Sequence, residues 1–253
     1  MSATEAPLKR IIAIVERLRH PTAGCDWDRV QTFASIMPYT IEEAYEVADS
    51  IERNDLAALK EELGDLLFQV VLHARIAEQL GAFDLGDVAT VIADKMERRH
   101  PHLFGEAAAK SAGRPDWEGM KAAERPVDAS ALDGVALALP ALMRAEKLQK
   151  RAARTGFDWP DSVGPRAKID EELVEIEQCI SHEERVGEVG DLLFAVVNYA
   201  RHLSVDPEVA LRAANAKFEH RFRMIETAPG FGALSLEAKE QLWREAKATE
   251  RSA

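Results

Sequence analysis

The chain has 253 residues, with 32 lysines and arginines against 44 aspartates and glutamates, and its net charge is −12. Sequence-independent binding to nucleic acid depends on neutralising phosphates, so an acidic chain predicts no nucleic-acid partner. No apolar run approaches the ~20 residues of a membrane span, and the start of the chain lacks a signal-peptide core, so we expect no membrane partner. Cys25 and Cys179 show no metal-ligand spacing and fit the reduced thiols of a cytoplasmic protein.

Helical periodicity dominates the first half of the chain. We expect Thr40 to be the N-cap of an acidic helix, and Gly81 to end the apolar helix that follows it. The sequence predicts helices at residues 8–18, 40–54, 56–80, 85–99 and 117–125, with a loop at 105–115.

The second half repeats the motifs of the first in the same order. Gly24-Cys25-Asp26-Trp27 has a counterpart in Gly156-Phe157-Asp158-Trp159, and Glu62-Leu63-Gly64-Asp65 has one in Glu188-Val189-Gly190-Asp191. Because an internal repeat fixes the architecture of a chain, we predict an all-α tandem repeat. Its predicted parts are a first repeat at 1–126, a linker at 127–136 and a second repeat at 137–253.

Each repeat contains a Glu-x-x-Glu and a Glu-x-x-Asp motif, and residues with this spacing share one face of a helix. Two antiparallel helices would bring four carboxylates together. Two like charges about 4 Å apart repel by roughly 4 kcal/mol at an effective dielectric near 20, so the cluster needs a cation. Oxygen ligands favour Mg²⁺, with Mn²⁺ as a substitute, over zinc or copper. The predicted ligands are Glu43, Glu46, Glu62 and Asp65 in the first repeat and Glu172, Glu175, Glu188 and Asp191 in the second.

A solvated acidic helix face is the alternative explanation for either motif alone. The apolar runs that follow argue against it, because Asp65 precedes residues 66–72 and Asp191 precedes residues 192–197. A helix that is apolar nearly all round is a buried helix, and acids at a buried helix are usually paired or bind metal. Two helices per repeat cannot cover such runs. We therefore expect four-helix-bundle cores, formed either on dimerisation or between the two repeats of one chain.

Several basic and aromatic residues each leave two interpretations open. Lys217 and Arg221 are four residues apart and present two cations on one helix face, as either surface charge or a phosphate clamp. Trp27 and Trp159 lie in turns and would either stack on a base or anchor a loop. Trp243 would either cover a nucleotide or close the last helix.

Together these motifs resemble the MazG family of nucleoside triphosphate pyrophosphohydrolases over nearly the whole chain. The carboxylate motifs alone are shared with all-helical dUTPases and related nucleotide hydrolases, whereas the tandem order and the flanking segments are similar to the two-domain MazG form. The segments that carry the resemblance are Cys25-Asp26-Trp27-Asp28, Gln31-Thr32-Phe33, Pro38-Tyr39-Thr40, Gly64-Asp65-Leu66-Leu67-Phe68, Arg98-Arg99-His100-Pro101-His102 and Gly156-Phe157-Asp158-Trp159.

The resemblance implies an all-α homodimer that uses Mg²⁺ to convert nucleoside triphosphates to monophosphates and pyrophosphate. It also implies that the second repeat carries the principal activity, since the first has Tyr39 at the position of Lys168. Metal ligation then maps onto Glu172, Glu175, Glu188 and Asp191, with Glu171 beside them as a further catalytic residue. Nucleotide contacts map onto Lys168, Glu171, Lys217, Arg221, Trp243 and Lys247.

The residues are compatible with such a mechanism. Metal ions neutralise phosphate oxygens and lower the pKa of a bound water, and Glu175 or Glu171 would accept the water proton. Lys217 and Arg221 would offset charge on the departing pyrophosphate. Pool sanitising and regulation are both open as roles. The alternative is a non-catalytic helical module that binds a nucleotide or a partner, although an inert bundle would gain by losing repelling acids.

Overall fold

The computed structural model describes residues 4–105 and 129–252. The chain divides into two compact units, Met1–Arg125 and Pro126–Ala253. The predicted helix at 117–125, most of the predicted loop at 105–115 and the start of the predicted linker lie outside the described residues. Within the described residues the secondary structure is helix and turn without a strand, which confirms the all-α prediction. No helix in these ranges is both long enough and apolar enough to cross a membrane.

The first unit is built on a helical hairpin. A three-residue turn joins α2 to α3, and the two helices pack along their lengths, while α1 and α4 pack against α3. The helices are α1 (Glu5–Leu18), α2 (Phe33–Glu52), α3 (Leu56–Gln79), α4 (Leu85–Arg99) and the short α5 (Pro101–Phe104).

The second unit repeats this hairpin. Helices α7 and α8 pack along their lengths, α6 packs against α8, and α9 contacts α6, α8 and α10. The helices are α6 (Ala141–Ala153), α7 (Val163–Gln178), α8 (His182–His202), α9 (Pro207–Ile225) and α10 (Leu236–Ser252).

Helix α2 begins earlier than the sequence predicted, so Thr40 as its N-cap is wrong. Thr32 caps the helix: its hydroxyl accepts a hydrogen bond from the Ser35 N–H at 3.2 Å, and the Ser35 hydroxyl accepts one from the Thr32 N–H at 2.8 Å. This capping box satisfies first-turn donors, and the helix tolerates Pro38 in its interior. Thr40 instead bonds the Nε2 atom of His73 at 2.9 Å.

The ends of α3 agree with the prediction to within a residue. The Asp55 carboxylate caps its start by accepting hydrogen bonds from the N–H groups of Ala57 and Ala58 at 3.1 and 3.0 Å. Gly81 lies just beyond its end with φ +70°, and its N–H donates to the Glu78 carbonyl at 2.9 Å. Glycine adopts this left-handed conformation without steric cost, which is why it marks the helix end.

Only one face of α3 is buried within the single chain. Val71, Leu72 and Ile76 pack with Val15 and Ile36 in the core of the first unit. On another face Leu63, Leu67 and Val70 are 49%, 39% and 40% exposed. The equivalent residues of α8, Val189, Leu193 and Val196, are exposed to a similar degree. Each hairpin therefore keeps an apolar stripe that its own unit does not cover.

Thr32→Ala should lower the free energy of unfolding by about 1 kcal/mol, because the hydroxyl that accepts the hydrogen bond from the Ser35 N–H is lost. Urea unfolding followed by circular dichroism measures the change. Thr90→Ala is the control, since Thr90 lies on the exposed side of α4, where alanine is the better helix former. Equal stability of the two variants would contradict the assignment of Thr32 as the cap.

Candidate active site

Both hairpins bring acidic side chains together near the turn that joins their helices. In the first unit Glu43, Glu62 and Asp65 can each offer an oxygen, and these oxygens lie within 4.8 Å of one another. In the second unit Glu172, Glu188 and Asp191 do the same. The spacing of the motifs thus produces two matching three-carboxylate clusters, the first cluster and the second cluster.

The helices determine which acids meet. Glu43 lies on α2 and Glu62 and Asp65 on α3, so one helix supplies one ligand and its partner supplies two at i and i+3. The second cluster divides in the same way between α7 and α8. The fourth predicted ligand of each repeat, Glu46 or Glu175, lies beside its cluster rather than among the three closest oxygens.

Mutual repulsion is evident in the first cluster. Burial, followed by the charges of Asp65 and Glu46, raises the pKa of Glu43. Burial and the charge of Glu46 likewise raise the pKa of Glu62. Ionised acids that disfavour one another's charge gain from a divalent cation, so the first cluster is suited to bind one.

The second cluster has a lysine beside it. The ammonium of Lys168 lies 2.7 Å from Glu172 and 2.9 Å from Glu171. The hydrogen bond from Lys168 lowers the pKa of Glu172 despite the burial of that carboxyl. Tyr39 stands at the equivalent position of the first unit and is 41% exposed. The surroundings of the two clusters therefore differ by one positively charged side chain.

Glu172 supplies the strongest sign that the second cluster is a metal site. It is almost fully buried, and its Oε2 atom has no hydrogen-bond partner among the described residues. An unpaired buried carboxylate oxygen is costly, and a hard cation would satisfy it together with Glu188 and Asp191. This all-oxygen set fits Mg²⁺ or Mn²⁺.

The two candidates for the general base have different surroundings. Glu175 lines the cavity beside the second cluster, and burial together with the charge of Glu172 raises its pKa. Glu171 is exposed and accepts a hydrogen bond from Lys168. Glu175 is thus the one that faces the space where a substrate would lie.

A cavity of about 660 Å³ extends from the second cluster into the second unit. This volume is in the range of small-molecule sites. Lys168, Glu172, Glu175, Glu188 and Asp191 line one part of it. The remaining lining residues are mostly apolar, with a few polar groups: Leu132, Leu148, Gln149, Ala152, Phe157, Asp158, Trp159, Pro165, Phe194, Ala195, Asn198 and Arg201.

Four predicted nucleotide contacts lie away from this lining. Lys217 and Arg221 are on α9, and Trp243 and Lys247 are on α10. Arg221 pairs with Glu250 at 2.6 Å and lies 5.8 Å above the Trp243 ring. Arg221 and Trp243 thus join α9 to α10, and none of the four residues is among those that line the cavity in the described part of the chain.

The turn tryptophans are not buried anchors. Trp27 is 50% exposed and meets Tyr39 edge-on, with 6.0 Å between ring centroids. Trp159 is also half exposed and lines the cavity. Its ring lies so close to Gly164 that a Cβ there would be 2.1 Å from the indole. Glycine at that position therefore lets the indole form part of the cavity wall.

Gln149 and Asn198 are two buried polar residues of the cavity that sequence analysis missed. Both are more than nine-tenths buried. The sequence did contain a signal for Asn198. When the two repeats are aligned, Asn198 takes the position of Leu72. An amide in place of a leucine in an apolar run indicates a specific polar contact. Nothing comparable marked Gln149, which lies in a helix rich in polar residues.

The chain is similar in sequence to known nucleotide hydrolases. Residues 31–104 match the family model described as the MazG nucleotide pyrophosphohydrolase domain. The chain is 46% identical to the nucleoside triphosphate pyrophosphohydrolase of Escherichia coli K12 over 96% of this chain and 98% of that protein. It is 42% identical to the nucleoside triphosphate pyrophosphohydrolase/pyrophosphatase MazG of Thermotoga maritima over 94% of this chain and 95% of that protein.

In metal-free protein at neutral pH, Glu43→Gln should raise the melting temperature. Its folded-state pKa is raised, so the folded state binds the proton more tightly than the unfolded state and loses stability as pH rises through that pKa. A neutral amide removes this loss. Melting curves from about pH 4 to pH 8 should be flatter for the variant, and Mg²⁺ should raise its melting temperature less than that of the wild type.

The control for this variant is Glu42→Gln, which removes an exposed acid of the same helix that lies outside the first cluster. Equal effects of the two substitutions would contradict the assignment of Glu43 to a strained carboxylate cluster.

Proposed function

The chain belongs to the MazG family of nucleoside triphosphate pyrophosphohydrolases, and from this premise we propose that its second unit performs the hydrolysis with Mg²⁺ as cofactor, releasing a nucleoside monophosphate and pyrophosphate. The observation that carries the proposal is the buried Oε2 atom of Glu172, which has no partner among residues 4–105 and 129–252 and lies at the edge of a substrate-sized cavity. A non-catalytic binding module is not supported, because relatives that match nearly the full chain bear the name of the hydrolase.

Glu172, Glu188 and Asp191 would hold the metal, and Mn²⁺ would substitute for Mg²⁺ because both accept an all-oxygen ligand set. The bound ion would supply neutralisation of phosphate charge and a water of lowered pKa. The side chains around the metal site would attract the substrate and accept the proton. Lys168 provides a positive charge at the same place, which favours the approach of the anionic triphosphate.

Glu175 is the general base in this proposal. It faces the cavity, whereas Glu171 is engaged by Lys168. The raised pKa of Glu175 suits proton acceptance near neutral pH. Lys217, Arg221, Trp243 and Lys247 stay a prediction as nucleotide contacts. Removal of unwanted nucleotides and regulation of nucleotide levels in the cytoplasm would both use this reaction.

The first unit contributes little hydrolysis in this proposal. It has the carboxylates but Tyr39 in place of Lys168, and Val15, Ile36 and Leu72 fill its core. A metal ion bound at the first cluster would stabilise the first unit without supporting hydrolysis.

Asp191→Asn and Glu175→Gln should each lower kcat for pyrophosphate release at least about 100-fold, since each removes a group that acts on the transition state. Asp65→Asn and Glu46→Gln are the matched controls and should retain most activity. EDTA should abolish turnover in every active variant. A reversed pattern would place the activity in the first unit, and nucleoside diphosphate with orthophosphate as products would contradict the proposed reaction.

We also propose that the chain is a homodimer. The exposed stripe of α3 and that of α8 occupy the same repeat positions and are apolar throughout, as expected if each hairpin pairs with its counterpart in a second copy to complete a four-helix bundle. Covering such stripes removes apolar area from water and so stabilises association.

Light scattering at micromolar concentration should give about twice the chain mass of 28.0 kDa. Leu193→Lys should shift the protein toward the monomer, because a lysine would be placed in the centre of the stripe on α8. Val209→Lys is the control, since Val209 is exposed on α9 outside both stripes. A wild-type mass near that of one chain would favour packing of the two hairpins within the chain instead.

A further inference from the structure

The first unit has an apolar groove between α2 and α3, at the end of the hairpin away from the joining turn. Its volume is about 400 Å³, and its lining residues are Phe33, Ala34, Met37, Thr40, Ile41 and His73. Phe33, Met37 and Ile41 lie at i, i+4 and i+8 of α2 and are 41%, 53% and 40% exposed. Residues with this spacing share one face of a helix, so α2 has an exposed apolar stripe of its own.

The groove continues the exposed stripe of α3. Val70, the last residue of that stripe, lies three positions before His73, which places both on one side of the helix. The stripes of α2 and α3 therefore form one apolar surface on the first hairpin. Exposed apolar surfaces of this kind mark sites where another macromolecule binds.

The chemistry of the groove indicates which partner covers it. Apart from His73, no acidic or basic side chain lines the groove in the described part of the chain, so a charged partner would find no complementary charge. In a two-fold symmetric contact the same patch lies on both partners, and an apolar patch is complementary to itself. A second copy of this chain therefore fits the groove, in continuity with the dimer contact proposed for α3.

The second unit differs at the corresponding place. When the repeats are aligned, Arg166 and Asp170 take the positions of Met37 and Ile41, and Tyr199 takes the position of the histidine. Arg166 and Asp170 form an ion pair, and both side chains are more than half exposed. A histidine in an apolar groove is thus a property of the first unit alone among the described residues.

His73 contacts neutral groups on α2. Its Nε2 atom lies 2.9 Å from the hydroxyl oxygen of Thr40, and its ring stacks on that of Phe33 with 5.8 Å between the centroids. Burial lowers the pKa of His73. Protonation in place would put a cation among apolar side chains, which is unfavourable without a nearby anion.

The charged groups of the packed helices lie elsewhere. Glu16 of α1 and Arg75 and Glu78 of α3 line a separate small pocket, where α4 contributes only an apolar side chain. Arg75 pairs there with Glu78 at 2.7 Å. On α2, Tyr39 and Glu42 are not among the residues that line the groove. Within the described ranges, the groove therefore offers protonated histidine no carboxylate.

We propose that a second copy of this chain covers the groove, and that protonation of His73 weakens this contact, so that the homodimer dissociates in mild acid. The inference rests on the proposed homodimer and adds its regulation by pH. Association would bury His73 further, so the dimer would bind the proton less tightly than the separate chain. By linkage, the dissociation constant rises as pH falls below the pKa of His73 in the separate chain and is constant above it.

The overall charge of the chain predicts the opposite trend, which makes a pH comparison decisive. The net charge is −12 and the pI about 5.1, so acidification reduces the repulsion between copies. Sedimentation velocity over a series of concentrations measures the dissociation constant. Between pH about 7.5 and about 5.5 it should rise at least about 10-fold, because the dimer contains two such histidines. A constant that stays the same or falls would overturn the inference.

His73→Tyr gives the groove the residue type of the second unit and removes the titrating group. His73→Gln is a second neutral variant, which can still form a hydrogen bond with Thr40. Both should dimerise with nearly equal dissociation constants at the two pH values. The control is His182→Gln, since His182 is exposed at the start of α8, and it should keep the wild-type rise.

If the two variants of His73 keep that rise as well, the histidine is not the switch and the inference is wrong. Circular dichroism of the wild type should show the same helix content at both pH values. A loss of helix at the lower pH would attribute dissociation to unfolding and would also overturn the inference.

A charge placed in the groove tests its coverage separately from pH. Met37→Lys should raise the dissociation constant at least about 10-fold at both pH values, because a buried, unpaired ammonium is unfavourable. Val91→Lys is the matched control, since Val91 is exposed on α4 of the same unit. Met37→Lys protein that dimerises like the wild type would overturn the inference alone, whereas a monomeric wild type at pH about 7.5 would contradict the proposed homodimer.

Discussion

Carboxylates that face one another across a helical hairpin repel, and both units of this chain hold three such groups with oxygens within 4.8 Å. The helices of each hairpin pack along their lengths and hold these acids close together, so a bound cation or protonation is needed to offset the repulsion. In the first unit the result is raised pKa values for Glu43 and Glu62. In the second unit Lys168 compensates part of the charge. Binding of a divalent cation is thus favoured by the fold itself, at the expense of stability in its absence.

The same hairpin has different interiors in the two units, and this difference supports the proposal that the second unit carries the activity. The first unit packs Val15, Ile36 and Leu72 into a continuous apolar core. The second has Gln149, Pro165 and Asn198 around a cavity that reaches the carboxylates. The second interior has room for a substrate beside its carboxylates, whereas the apolar core of the first is filled.

Local spacing made the hairpins and carboxylate clusters predictable, because the i,i+3 rule acts within one helix and the short connection forces the next helix alongside. Thr40 was predicted wrongly as a cap, since the preference of Thr for N-caps does not reveal that Thr32 and Ser35 form a better one. Side-chain contacts between helices that are distant in the chain could not be predicted from the sequence. Neither the hydrogen bond that Gln149 donates to a carbonyl of α8 nor the pairing of Arg221 with Glu250 could be inferred from helix periodicity.

We propose that the second cluster is a metal site built from Glu172, Glu188 and Asp191. Anomalous diffraction from crystals soaked in Mn²⁺ tests it most directly, because it locates the ion without dependence on activity. We expect a peak in contact with oxygens of these three carboxylates, and loss of that peak in Asp191→Asn. Crystals that bind Mn²⁺ elsewhere, while the three carboxylates hold no ion, would contradict it.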